Sequence, residues 1–289
     1  MAEATIPVDP FNPGQVFACL GFLEAADILL GGAEGGFAWD DASADVTFTV
    51  RAAGDEDPVA AVLTFVAQAE VASLAPHESA NATEKWKVPT SILATGAPFP
   101  YPDPASPATL PAVLRAGDRA IVINYWGDAT ERDNVKFWAG AAGYPGAALA
   151  RDALDLARPV MDQAREAPFS LSAVQSSSFR FDWRRDYIPM DVGFSPNDHS
   201  DVKMTGFPLV ELLAAIGVTH ARPLRVNRLT YRYGIIGNDN VLLAPMFLRG
   251  ALGCARLPFR TRTFRMALGW PGQEGQARCI TDVTEETTS

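Results

Sequence analysis

The chain has 289 residues, 48% apolar and 20% charged, enough to bury a large core and too apolar for a disordered chain. Its formal net charge of −10 argues against a protein that binds nucleic acid over its whole surface. Cys19, Cys254 and Cys279 follow no metal-ligand spacing; so sparse a set excludes a disulfide scaffold and fits a reducing cytosol.

In chain order, Asn12-Pro13-Gly14 is a turn that opens a helix. Val16, Leu20, Leu23, Ala26 and Leu30 fall at helical spacing from Gln15 to Leu30, and Gly31-Gly32 ends the run. Glu24 and Asp27 interrupt it, so it does not read as a membrane span. The first basic residue is Arg51, so the positive segment of a signal peptide is missing. The two acids suit the solvent edge of the helix. Burial of Glu24 would demand a downstream arginine, because a buried carboxylate without a partner costs several kcal/mol. That would pack the two ends of the chain together.

Val46, Phe48 and Val50 alternate in a strand from Asp45 to Val50. Pro58 to Val71 reads as a helix with proline in its first turn. Residues 72–112 are rich in Pro, Ser, Ala and Thr, and the proline-dense piece 97–107 cannot be helical, so this stretch reads as a long loop. Arg119 to Trp126 is a buried strand, and Asn134 to Ala142 and Gly146 to Ala167 are helices. Ser178 to Trp183 sets Phe179, Phe181 and Trp183 against Arg180 and Asp182, a strand with one polar face.

Pro208 opens a short apolar helix that Gly217 closes. Arg225 to Pro245 reads as a hairpin turning at Gly237-Asn238-Asp239-Asn240, Thr261 to Trp270 alternates as a strand, and 282–289 is a polar tail. The mixture lacks a regular βαβ rhythm. It predicts an α+β fold, a largely antiparallel sheet with packed helices, and allows ferredoxin-like modules. The chain is one α+β domain or two tightly packed lobes, an acidic one over 1–112 with the proline-rich loop and an arginine-rich one over 113–289.

Charge is unevenly spread. Residues 1–150 hold 7 basic and 19 acidic side chains, and 151–289 hold 17 and 15. Between 222 and 265 stand nine arginines and one acid, Asp239. Arg225, Arg228, Arg232, Arg256, Arg260 and Arg262 are the candidate nucleic-acid contacts. In the hairpin, Arg228 and Arg232 share a face with Thr230, and Tyr231 and Tyr233 take the other. Guanidinium forks bind phosphates in a bidentate way and interleaved aromatics stack on bases. The competing reading pairs these arginines with the acidic first half.

Asp186, Asp191, Asp198, His199 and Asp201 form the one set that resembles metal ligands, suited to Mg²⁺ or Mn²⁺ in phosphodiester cleavage. The same stretch, Pro196 to Asp201, is also an ordinary polar turn. Ser195 follows Gly193 but lacks the glycine on its other side that a nucleophile elbow needs, no Gly-Lys phosphate loop occurs, and no cofactor is indicated. Trp126, Trp138 and Trp183 read as core.

Four segments carry a resemblance as a set: Asn12 to Glu24, Lys136 to Gly140, Asp191 to Ser195 and Glu211 to Gly217. In this order they resemble a small accessory protein family of type I-G (formerly I-U) CRISPR systems, the "helicase-extension" type, over about residues 5 to 280. The resemblance implies a cytoplasmic, non-catalytic subunit or accessory factor of an RNA-guided DNA-interference system. It implies as partners the other subunits of the surveillance complex or the helicase-nuclease, with crRNA or target DNA as the ligand of the arginines, and no membrane. It supplies no catalytic residues. Two alternatives stand beside it: a metal-dependent nuclease using Asp191, Asp198, His199 and Asp201, and a pure adaptor that docks the helicase-nuclease through its acidic half.

Overall fold

The structure, a computed structural model, describes residues 1–40, 44–97, 106–125, 144–175, 177–185, 204–237, 241–269 and 278–286. It is α+β, as the mixed periodicities require.

The first long helix, α1 (Pro13–Leu30), starts where its cap dictates: the Asn12 side chain accepts the N–H of Gly14, and Pro13 takes the first helical position. Every residue from Pro13 to Ala26 is buried. One apolar stripe with Glu24 on its solvent edge is therefore not what forms; α1 is enclosed on all sides. Its main neighbour is α5 (Pro208–His220). A Cβ on Gly21 would lie 2.0 Å from the Leu213 carbonyl oxygen, and one on Gly217 would lie 2.1 Å from the Phe17 carbonyl oxygen. Glycine at these positions lets one backbone rest on the other. Gly217 thus marks the crossing of the helices rather than the end of α5, which runs on to His220. By length and composition α1 could cross a membrane, but 78% of it is buried inside the protein.

Around α1 the strands β1 (Ala2–Val8), β2 (Glu34–Trp39) and β3 (Val46–Ala52) form an antiparallel sheet in the order β1-β3-β2. Val46, Phe48 and Val50 face the core, as their alternation predicts. Next come α2 (Pro58–Gln68), capped by Asp57, and β4 (Glu70–Ala75). The expected helix to Val71 therefore stops short, and Val71 is a strand residue. The element order to this point is βαββαβ, that of a ferredoxin-like unit. The pairing differs: β4 leaves the first sheet and joins β5 (Thr90–Ile92), β6 (Ala112–Ala116) and β7 (Arg119–Ile123) in the order β5-β4-β6-β7.

Three short pieces of the stretch expected to be a loop over 72–112 belong to this second sheet, at 72–75, 90–92 and 112; the rest of its described residues are loop, as expected, with 3₁₀ turns at Glu84–Trp86 and Pro107–Thr109. Its hydroxyls are buried and satisfy one another: Ser73 Oγ lies 2.6 Å from Thr83 Oγ1, which donates to the Val88 carbonyl at 3.0 Å. Within the proline-dense piece, residues 98–105 lie outside the described residues, as does the expected helix over 134–142.

The predicted helix over 146–167 is divided into α3 (Gly146–Ala157) and α4 (Met161–Ala164) by a 3₁₀ turn at Arg158–Val160, where Pro159 removes a donor. A short pair, β8 (Ala173–Val174) and β9 (Thr205–Gly206), follows. Residues 178–183 are not a strand. Arg180 adopts φ 68°, which breaks an extended run. The expected alternation fails with it: Asp182 is fully buried and Trp183 is 37% exposed.

A third sheet holds β10 (Leu224–Asn227), β11 (Thr230–Gly237), β12 (Arg260–Gly269) and β13 (Cys279–Glu286) in that order, with α6 (Pro245–Leu252) inserted between β11 and β12. The hairpin turns at Arg228-Leu229, and β11 pairs with β12, not with the segment after residue 240. Most of the expected polar tail is strand: β13 lines up on β12 from Glu286 opposite Thr263 to Cys279 opposite Gly269. One continuous cluster of buried side chains runs from Ile6 to Val283 and joins all three large sheets.

Candidate nucleic-acid interface

The register of the third sheet decides where the candidate arginines point. Arg225 lies opposite Tyr231, Arg262 opposite Ile235 and Arg260 opposite Gly237, so these three share the face of Tyr231 and Tyr233. Arg232 is on the reverse face, directly opposite Arg265. Arg228 is in the hairpin turn and does not share a strand face with Arg232; its carbonyl accepts from Arg278 at 2.9 Å. Arg256 is exposed in the loop after α6. The arginines thus divide between two faces. They also divide between the two ends of a strand about 23 Å long at ~3.3 Å per residue.

The tyrosines between them serve the core. Tyr233 is fully buried, donates its hydroxyl to the Pro10 carbonyl at 2.8 Å, and stacks on Phe264 with ring centroids 5.2 Å apart. Tyr231 is 4% exposed. Neither presents a ring face to a base.

Arg262 and Arg232 are held by carboxylates, from an unexpected direction. Arg262 forms a two-pronged pair with Glu285, at 2.7 Å on each prong, and this hydrogen bonding holds the Glu285 carboxyl below its usual range. Arg232 pairs with Glu286 on the opposite face. Both partners belong to β13, not to the acidic first half.

One arginine outside the candidate set does reach that half. Arg249 on α6 grips Glu24 on α1 through both prongs at 2.6 Å, across 225 positions of sequence. Glu24 is 1% exposed, so the condition set by its burial is met. His220 Nδ1 stands 3.5 Å from the same carboxylate, with its pKa lowered by burial.

Arg260 and Arg262 meet at a corner where the first and third sheets join. Four residues back along β2 from Trp39, Gly35 and Leu243 exchange backbone hydrogen bonds at 2.9 and 2.8 Å. At Gly237 a Cβ would lie 2.4 Å from the Phe37 carbonyl oxygen and 2.6 Å from Trp39 Cζ3, so β2 runs against bare backbone. The Trp39 ring then lies beneath both guanidiniums, 5.0 Å from Arg260 and 5.8 Å from Arg262, and Arg262 is 5.3 Å from Phe264. Arg260 is exposed; Trp39 and Arg262 are half-buried. Sequence reasoning missed Trp39. The alternation of Phe37 and Trp39 was the available signal, and Gly35-Gly36 hid it.

A second network lies under the resemblance segments. Asn12 Nδ2 donates to Asp182 at 3.0 Å, and Arg184 forks onto the same carboxylate while stacking 3.6 Å from the Phe207 ring. Glu211 on α5 accepts the backbone N–H groups of Phe181 and Asp182 at 3.2 and 3.0 Å. Burial pushes the Glu211 carboxyl up to about 7; the two N–H groups oppose this and the Asp182 charge adds to it. The network clamps residues 177–185 between α1 and α5.

Of the proposed metal ligands, Asp186, Asp191, Asp198, His199 and Asp201 all lie outside the described residues, as do the segments Lys136–Gly140 and Asp191–Ser195. Among the described residues no group of three or more His, Cys, Asp or Glu side chains is placed to hold a metal ion. Compared with known proteins, the chain matches no family model, no curated protein and no solved structure.

Proposed function

We propose that this chain is a cytoplasmic, non-catalytic subunit or accessory factor of a type I-G CRISPR interference system. It works by contact with the surveillance complex or the helicase-nuclease, and its arginines touch the backbone of crRNA or target DNA. In such systems base pairing reads sequence and protein reads shape and phosphate.

The observation that carries the reading is how the described resemblance residues are used. Asn12, Gly21, Glu24, Glu211 and Gly217 are far apart in sequence, yet they interlock α1, α5, α6 and residues 177–185 into one unit. Residues spent on fixing a shape support a scaffold that presents a surface. The arginines stand at the rim of that scaffold, on the third sheet and its loops.

Co-purification tests it. The tagged chain, expressed with its operon, is expected to bring down complex subunits together with crRNA. Recovery of the helicase-nuclease alone, insensitive to nuclease treatment, would make it an adaptor instead. Cleavage of labelled DNA or RNA that needs Mn²⁺, stops with EDTA and is lost on Asp191→Asn would replace the proposal with the nuclease.

A further inference from the structure

We infer that the corner formed by Trp39, Arg260 and Arg262 is a stacking site for an unpaired nucleobase, so that the ligand is single-stranded nucleic acid. This rests on the nucleic-acid part of the proposed function and deepens it by naming the ligand class.

The ring and the two cations are held in different ways. Trp39 is fixed from below, its six-membered edge against the bare backbone of Gly237 and its strand bound to Leu243 through Gly35. Arg262 is fixed from the side by its fork onto Glu285 and by Phe264. Arg260 is the exposed member and rests over the ring at 5.0 Å. A guanidinium within about 6 Å of an indole centroid marks a ring whose face attracts cations and planar groups. A nucleobase is planar too and can lie on the part of the half-buried Trp39 ring that solvent reaches, with the Arg260 guanidinium beside its phosphate.

Stacking needs a base whose own face is open, which a duplex buries and a single strand offers. A corner of this kind tolerates any base, in keeping with a protein that leaves sequence reading to a guide strand.

The test uses the full chain and labelled oligonucleotides: a short single-stranded RNA, the same RNA as a duplex, and a version lacking bases. Trp39→Leu is expected to weaken binding of the single strand by roughly five- to a hundred-fold and leave duplex binding unchanged. The oligonucleotide without bases should bind the wild type as weakly as the intact strand binds the variant. Arg260→Ala should weaken both RNA forms and lower the salt slope by about one. Trp39→Phe, which keeps a ring over Gly237, should restore most of the affinity. Single-strand binding unaffected by loss of the bases would overturn the stacking site even if Trp39→Leu failed to fold. A wild type that binds neither single strand nor duplex would overturn the nucleic-acid reading and the inference with it.

Discussion

The α1–α5 crossing and the β10–β13 sheet use opposite means to hold the same protein. At the crossing, backbone touches backbone through Gly21 and Gly217, and nothing in the contact can swing aside. On the sheet, arginines are held at the surface by glutamates of β13, long side chains in contact with water. The residues that carry the family resemblance and lie among the described residues belong to the first region. The arginines of the proposed ligand site belong to the second, and its Trp39 to β2 beside it. Motif specificity and ligand chemistry are therefore separate properties here, and searching the motifs for a reactive centre leads to the packing instead.

The contrast can be broken most severely at the crossing. Gly217→Ala places a methyl 2.1 Å from the Phe17 carbonyl oxygen, and the helices must separate along their buried length. A loss of about 3 kcal/mol or more is expected, read as a lower midpoint in urea; an unchanged midpoint would mean the helices are free to shift. Arg249→Ala strips the partner from buried Glu24 and should cost about 3 kcal/mol. Replacing both, as Glu24→Leu with Arg249→Met, should recover most of that loss. A double variant as unstable as the single one would show that the pair does more than satisfy its own burial.

Glu211 gives a pH signature to the same region. Its carboxyl titrates near 7 in the fold against 4.5 for the ordinary group, so between these values the folded chain holds a proton that the unfolded chain has lost. Stability from this group is therefore greatest below pH 4.5, declines as pH rises towards 7, and is flat above, by up to about 3 kcal/mol. Glu211→Gln should remove that slope and lose one of the two N–H contacts to residues 181 and 182. A slope that survives the substitution would place the titration elsewhere. The smallest effect belongs to the sheet: breaking Arg232–Glu286 or Arg262–Glu285 should change stability by about 0.5 kcal/mol, less in high salt. A double-mutant cycle measures it, and a value near that of Glu24–Arg249 would erase the contrast.

Legibility in the sequence follows the same division. The start of α1, the proline that opens α2, the alternation in β3 and most of β12 are local patterns, and the chain obeys them. The hairpin was misplaced because Gly237-Asn238-Asp239-Asn240 carries stronger turn residues than Arg228-Leu229. The real turn is supported by Asn227, whose side chain accepts the N–H of Leu229 at 2.9 Å. β2 was hidden by its paired glycines, and β13 by side chains that alternate weakly and face water. The arginines were legible as a count, and their faces were not. Faces depend on cross-strand register, and shifting a turn by a few residues reassigns them. The Glu24–Arg249 pair was legible as a condition, because the cost of burying a charge is independent of the fold.

That α1 is sealed by α5 and α6 has a consequence on the ribosome. The helix is complete at Leu30, whereas Gly217 and Arg249 are made roughly 190 and 220 residues later. At ~5–20 residues per second, its apolar surface waits on the order of 10 to 40 seconds for its cover. Over that interval the emerging chain shows an apolar helix face to solvent, and a truncation before residue 249 is expected to go to the pellet on centrifugation rather than stay soluble.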